Sequence, residues 1–270
     1  MTFELPASPS GKTSCDWVVV LGASSGFGAA AARAFAAAGY GVFGVHLDRR
    51  GAQPAIDALL EELRAHGGPV VYLNTNAAGD EERAEAITSL RAGLAEGDRV
   101  RVLLHSLAFG TLRPYIGEDA LARRQLEMTL DVMAHSLVYW ARDLVAGGLL
   151  GRGGRIFAMT SAGSFAVWPS YGAVSAAKSA LESHCRQLAH ELAPSGITVN
   201  AVMAGVTRTA ALDRIPGAEE LARRAMERNP SGRLTTPDDV ARCLVALADP
   251  GTAWLTGNVL RVDGGESISG

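Results

Sequence analysis

Short, nearly continuous apolar runs alternate along this chain with longer stretches of helical periodicity. The runs fall at 17–21, 42–47, 70–73, 100–105, 155–159, 197–202 and 259–262. Strands of that kind are buried on both faces, and their alternation with helices predicts a parallel sheet covered on both sides. The helix punctuation agrees. Pro54 opens a segment that Gly67 closes, and Asp80 is placed to cap the next. Thr236-Pro237-Asp238-Asp239 combines an N-cap, a proline in the first turn and acidic residues at the positive helix end. Two long helices are expected over 121–147 and 171–193, each apolar around much of its circumference.

At 270 residues and 48% apolar content the chain suits a single α/β domain, expected over 15–270. Residues 1–14 are polar and carry Pro6 and Pro9, so a flexible arm is expected there. No apolar stretch reaches signal-peptide or membrane-spanning length, which predicts a soluble, cytoplasmic protein with no membrane partner. A formal net charge of −3 with both signs interspersed lacks the basic footprint of a nucleic-acid binder. Cys15, Cys185 and Cys243 are far apart and show no metal-ligand spacing. They read as reduced thiols, and no metal is expected.

A charged, helical-looking insert follows the run at 197–202 and interrupts the rhythm. A surface helix is one reading. Open α/β sheets bind ligands beyond the carboxyl ends of their strands, so a substrate lid over about 207–230 is the reading adopted.

Candidate chemistry begins at Gly22-Ala23-Ser24-Ser25-Gly26-Phe27-Gly28, between the first run and a helix. Gly22 allows a sharp turn, Gly26 a close approach of backbone to a pyrophosphate, and Gly28 tight helix–sheet packing. The helix start adds N–H donors and a partial positive charge. Further along, Tyr171 precedes Lys178 by seven positions, two helical turns, which puts both on one stripe about 10 Å apart. A tyrosine and a lysine so arranged suit proton donation combined with cofactor binding.

Taken together, the glycine cluster, the Tyr171–Lys178 pair and the strand–helix alternation resemble the short-chain dehydrogenase/reductase family from about residue 17 to residue 265. The resemblance implies a Rossmann-type, doubly wound parallel sheet of about seven strands with helices on both faces, holding a nicotinamide dinucleotide. Most members use Tyr-x3-Lys, but position 174 is a valine here. The Tyr-x6-Lys spacing, His105-Ser106, Asp131, Leu181-Glu182 and Ala204-Gly205 are similar to the branch that contains the bacterial enoyl-acyl-carrier-protein reductases.

By position, that resemblance assigns cofactor contacts to Gly22, Ser24, Ser25, Gly26, Phe27, Gly28, Asp48, Arg49, Asn76, Ala77, Ser106, Leu107, Lys178, Val206 and Thr209. Asn76-Ala77 would hold the adenine, and Val206 and Thr209 the carboxamide and pyrophosphate sides. Asp48 favours the ribose diol of NADH, whereas Arg49 and Arg50 favour the 2′-phosphate of NADPH. NADPH is the expectation, with NADH the alternative.

Tyr171, Lys178 and Ser161 are the catalytic candidates, and Phe109, Ser161 and Tyr171 the substrate contacts. Trp168 and Tyr139 are further candidates to border an acyl pocket. His105 is read as structural, and Asp131 as supporting the Lys178 region or capping local N–H groups. Ser161 stands where carbonyl-reducing relatives have a substrate-binding serine; it either touches substrate or caps the backbone around Gly163. The implied activity is reduction of the C=C bond of a trans-2-enoyl thioester carried by acyl carrier protein or coenzyme A. The alternatives are a 3-oxoacyl or ketone reductase and a non-catalytic dinucleotide-binding scaffold or sensor. The family also implies a homotetramer packed through the two long helices.

Overall fold

A computed structural model describes residues 14–269. The expected arm falls almost wholly outside the described residues. Seven strands form one sheet in the order β3-β2-β1-β4-β5-β6-β7, and every pairing is parallel. In chain order these are β1 (Asp16–Leu21), β2 (Gly41–His46), β3 (Val70–Asn74), β4 (Arg99–His105), β5 (Leu150–Ser161), β6 (Thr198–Ala204) and β7 (Val259–Val262). The order reverses between β1 and β4. That switch point opens a crevice at the carboxyl edge, where α/β sheets take their ligands.

Helices α1 (Gly26–Ala37), α2 (Gln53–Arg64) and α8 (Pro237–Leu247) belong to one face, where Phe35, Leu59, Leu63 and Leu244 pack on Val18, Val20, Val102 and Phe157. The other face carries α3 (Asp80–Gly93), α5 (Ser136–Ala146) and α6 (Gly172–Leu192), with Leu90, Trp140, Leu181 and Cys185 over Val19, Leu21, Leu103 and Ile156. Each such fully buried side chain stabilises the fold by roughly 1.5–3 kcal/mol. Trp140 also donates its indole N–H to the Ala77 carbonyl at 2.8 Å, so its loss would leave both a cavity and an unpaired acceptor.

Two expectations need correction. The helix expected over 121–147 is divided into α4 (Arg123–Leu130), a π-helical turn over Asp131–His135, and α5. Flanking hydroxyls bond back one turn and favour a wider winding: Thr129 Oγ1 donates to Gln125 O at 2.7 Å and Ser136 Oγ to Val132 O at 2.8 Å. Asp80 does not cap α3. Gly79 is the N-cap, and Asp80, in the first turn, instead accepts from Arg83 at 2.8 Å. The remaining helix, α7 (Ala218–Arg228), lies within the insert after β6 and is preceded by a short helical turn at Leu212–Arg214.

Candidate active site

The crevice is built from the loops after β1, β4, β5 and β6. Gly22 has φ +86°, and a Cβ there would stand 2.4 Å from the Ser106 carbonyl oxygen, so the loops after β1 and β4 meet backbone to backbone. A Cβ on Gly28 would lie 2.0 Å from the Gly22 carbonyl, which is why α1 can start so close behind the turn. Gly26 has φ +53° and faces the Thr209 methyl at 3.6 Å from an added Cβ. Ser25, extended at φ −155°, is the N-cap of α1 and makes no side-chain cap bond. Ser24 and Phe27 are half-buried beside it, while Ser25 is exposed. The result is a bare cradle of backbone N–H groups at a helix N-terminus, the shape and polarity a pyrophosphate requires.

At the end of β2, Asp48 is held by its carboxylate on one side and by its backbone on the other. His46 Nδ1 lies 2.9 Å from Asp48 Oδ2, the Asp48 N–H donates to Asn74 Oδ1 at 3.0 Å, and Asn74 Nδ2 donates to Asp48 O at 3.0 Å. Arg49 and Arg50 are exposed. After β3, Asn76 Oδ1 accepts from the Ala78 N–H at 3.1 Å, and Ala77 is buried with its carbonyl turned to Trp140. Leu107 is half-buried behind Ser106, and Phe109 is exposed at the rim.

Tyr171 is not inside the helix. It is the N-cap of α6 with φ −93° and ψ 0°, and Ser170 before it is the one non-glycine described residue at positive φ, 60°. Such a conformation costs on the order of 1–2 kcal/mol for a side-chain-bearing residue. The turn aims the tyrosine ring across Gly163. A Cβ on Gly163 would meet Tyr171 Cε1 at 2.4 Å and Ser161 Oγ at 3.1 Å, so phenol and serine converge over that glycine. Burial raises the Tyr171 pKa and the Ser161 hydroxyl pulls it back, which leaves a protonated phenol at neutral pH. Ser161 Oγ also accepts the Gly163 N–H at 3.3 Å. The capping role considered for it is therefore present, and its own proton is left available.

Lys178, seven positions on along α6, is buried. Its ammonium donates to the Met159 carbonyl at 2.6 Å, and burial lowers its pKa to about 8 against the opposing pull of Glu182. Glu182 Oε1 accepts from Thr160 Oγ1 at 2.7 Å. Val174 packs with Met133 and Ala177, so the position that carries tyrosine in Tyr-x3-Lys proteins is part of an apolar cluster here. His105 is fully buried with Nε2 2.9 Å from Ser136 Oγ, and burial pushes its pKa down to about 3. A neutral, enclosed imidazole fits the structural reading.

Trp168 donates to the Pro216 carbonyl at 2.8 Å and so joins the loop before Tyr171 to the insert. Tyr139 belongs elsewhere. Its hydroxyl donates to Asp131 Oδ1 at 2.9 Å, and the Arg83 guanidinium lies 5.1 Å from its ring centroid, so it does not border the crevice. The same bond gives Asp131 a partner on α5.

One residue near this site had no signal in the sequence. Glu266 is buried beside Gly205 and accepts the Val206 N–H at 2.9 Å, while burial raises its pKa. The pair spans 60 positions and no local pattern announces it. Among the described residues no cluster of His, Cys, Asp and Glu is arranged to hold a metal ion, and no helix is long and apolar enough to cross a membrane.

This geometry has known counterparts. The sequence model of the family described as Enoyl-(Acyl carrier protein) reductase matches residues 22–267. The enoyl-acyl-carrier-protein reductase (NADH) FabI of Aquifex aeolicus is 29% identical over 221 residues, 81% of this chain and 80% of that protein. Galactitol 2-dehydrogenase (L-tagatose-forming) of Cereibacter sphaeroides is 30% identical over 253 residues, 92% of this chain and 94% of that one. The crystal structure of the Aquifex aeolicus enoyl-acyl-carrier-protein reductase (NADH) superposes with a TM-score of 0.78 at 26% identity, covering 94% of this chain and 97% of that chain. With its sheet order, glycine cradle and family match in agreement, the chain belongs to the short-chain dehydrogenase/reductase family of oxidoreductases, in the branch resembling enoyl-acyl-carrier-protein reductases.

Proposed function

We propose that this protein reduces the C=C bond of a trans-2-enoyl thioester borne by acyl carrier protein or coenzyme A. The observation that carries the reading is the arrangement at the crevice. The Tyr171 phenol converges with Ser161 over Gly163, the Lys178 ammonium is buried two turns along the same helix on the Met159 carbonyl, and apolar Val174 occupies the usual tyrosine position. Bound in the crevice, a reduced nicotinamide dinucleotide supplies the hydride. Gly22, Ser24, Ser25, Gly26, Phe27, Gly28 and Thr209 would cradle its pyrophosphate, Asn76 and Ala77 the adenine, and Ser106, Leu107 and Val206 the nicotinamide end. The cradle fits that group because side chains are excluded from it at Gly22 and Gly28.

Tyr171 then donates a hydrogen bond to the thioester carbonyl, where negative charge develops as the β-carbon is reduced. Its raised pKa keeps the proton on the phenol until that charge appears; that proton, or one relayed through water, then goes to the α-carbon and completes the reduction. Lys178 would bind the ribose hydroxyls of the dinucleotide, and its cation would favour phenolate character on Tyr171. Phe109 and Ser161 contact the substrate.

NADH is the favoured dinucleotide, in place of the NADPH expected from Arg49-Arg50. Asp48 is held by His46 and Asn74 in a position suited to a ribose diol, and both arginines point no contact toward it. The insert over about 207–230 is read as the substrate lid, and the outer faces of α4, α5 and α6 as the interface of a homotetramer.

Ser161 beside Tyr171 favours a second reading, reduction of a 3-oxoacyl or ketone C=O group. Oxidation of NADH by crotonyl-coenzyme A and by acetoacetyl-coenzyme A separates the two. Turnover of the first substrate is expected; turnover of acetoacetyl-coenzyme A alone would overturn the enoyl reading.

A further inference from the structure

At the amino edge of the sheet, the end opposite the glycine cradle, the protein buries two arginines that no ion pair at contact distance reaches among the described residues. β4 carries an extra residue there. Val100 pairs with Trp17 and Leu150, and Val102 with Val18 and Arg155, which leaves Arg101 as a bulge between them. Arg101 is 7% exposed and Arg155 1%. Both guanidinium groups adjoin Gly153. Arg101 Nη1 lies 2.1 Å from where a Cβ on that glycine would stand, and Arg155 Nη1 donates to the Gly153 carbonyl at 3.0 Å.

The remaining partners of Arg155 are the Gly154 and Asp249 carbonyls, each at 3.2 Å, and its Nε–H has none among the described residues. No hydrogen bond or ion pair reaches the Arg101 guanidinium among the described residues, nor the Tyr40 hydroxyl nearby. The carboxylates of this edge are engaged elsewhere. Asp16 receives Arg99 Nε at 2.8 Å, Asp98 receives Trp17 Nε1 at 2.9 Å and the Cys15 N–H at 2.6 Å, and Asp249 Oδ1 receives the Gly251 N–H at 2.6 Å. Burial lowers the Arg155 pKa and Arg101 lowers it further, with Tyr40 and the Asp249 carboxylate opposing; burial and then Asp16 raise the Tyr40 pKa, and both arginines oppose that rise. The shared approach to Gly153 brings the two arginines together at this edge.

A guanidinium cannot shed its proton to escape burial, so two buried guanidiniums with no carboxylate in direct contact favour a counter-anion. Two cations beside a phenolic O–H match a tetrahedral dianion better than a single carboxylate, in both charge and donor geometry. We propose that Arg101, Arg155 and the Tyr40 hydroxyl form a site for a phosphate dianion, either free phosphate or the phosphate of a monoester. It lies at the sheet edge opposite the dinucleotide crevice and is distinct from it.

Calorimetric titration of inorganic phosphate tests this in full-length protein presaturated with nicotinamide dinucleotide, so that the glycine cradle is filled, with chloride balancing the ionic strength. Saturable binding of one phosphate per chain is expected, weakened about tenfold or more by Arg101→Met through loss of a charge-assisted donor. Absence of saturable binding, or unchanged affinity in Arg101→Met, would overturn the site. Should that variant fail to fold, Tyr40→Phe decides the matter, because the ring that packs on Phe35 at 5.0 Å is kept. Its phosphate affinity should fall severalfold, and an unchanged value overturns the proposal. Displacement by glycerol phosphate would assign a monoester as the occupant; failure to displace would assign the free ion.

Discussion

The Lys178 ammonium rests on the Met159 carbonyl at 2.6 Å, a neutral acceptor for a charge buried deeply enough to bring its pKa to about 8. An unfolded lysine near 10.5 holds its proton longer, so between about pH 8 and 10.5 the unfolded chain binds more protons and stability rises with pH. Below that window the folded protein carries the full cost of the buried cation, on the order of 3 kcal/mol. Lys178→Met should accordingly stabilise the protein without dinucleotide at pH 7, with the advantage shrinking toward pH 10. It should also lose most of the thermal shift that dinucleotide produces. Urea unfolding at the two pH values measures this, and equal destabilisation at both would contradict it.

Tyr171→Phe removes the hydroxyl while keeping the ring over Gly163. The kcat for an enoyl thioester should fall roughly 100-fold or more, with KM little changed, if the hydroxyl acts on charge that develops in the transition state. Ser161→Ala should reduce the same kcat by less than about tenfold, since its oxygen already serves the Gly163 N–H. A larger loss at Ser161 than at Tyr171 would shift the assignment toward carbonyl reduction.

Asp48 offers a test of dinucleotide choice. Asp48→Ser should raise KM for NADH about tenfold or more and lower KM for NADPH, because a diol acceptor is lost and repulsion of a 2′-phosphate is removed. Steady-state kinetics with each dinucleotide at fixed thioester would reveal it. Parallel changes for both would place the specificity elsewhere.

His105 predicts the acid limb of stability. Its folded pKa near 3 lies below the ordinary 6.5, so as pH falls through that interval the unfolded chain takes up a proton that the folded chain refuses. Stability contributed by the neutral imidazole is complete above about pH 6.5 and is lost progressively toward pH 3. His105→Gln should flatten the dependence of unfolding free energy on pH between about 6.5 and 4, as read by denaturant titration. An unaltered slope would mean that other groups govern acid unfolding.

Much of this architecture is legible in local pattern. Buried parallel strands announce themselves as apolar runs such as Val18-Val19-Val20-Leu21, and Gly22, Gly26 and Gly28 mark a turn that admits no side chain. The Tyr171–Lys178 spacing carries across because a helix preserves seven-residue registration even though Tyr171 stands at its cap. What escaped reading depends on distant partners. Glu266 reaches Val206 through tertiary folding, His46 and Asn74 decide how Asp48 is held, and Tyr139 turns away to Arg83 and Asp131. The π-helical turn also depends on which way two hydroxyls bond, a choice that residue identity alone leaves open.

The Trp168 indole bond to Pro216 links the catalytic-loop side of the crevice to the segment before α7. Since Tyr171 follows Trp168 by three residues, with its N–H on the Trp168 carbonyl at 3.2 Å, the connection is short and stiff. A displacement of Pro216 would break the indole bond or pull on the turn that carries Tyr171. On the proposed reading of the insert as a lid and of Tyr171 as the proton donor, a substitution chosen to widen the doorway would also detune the chemistry behind it.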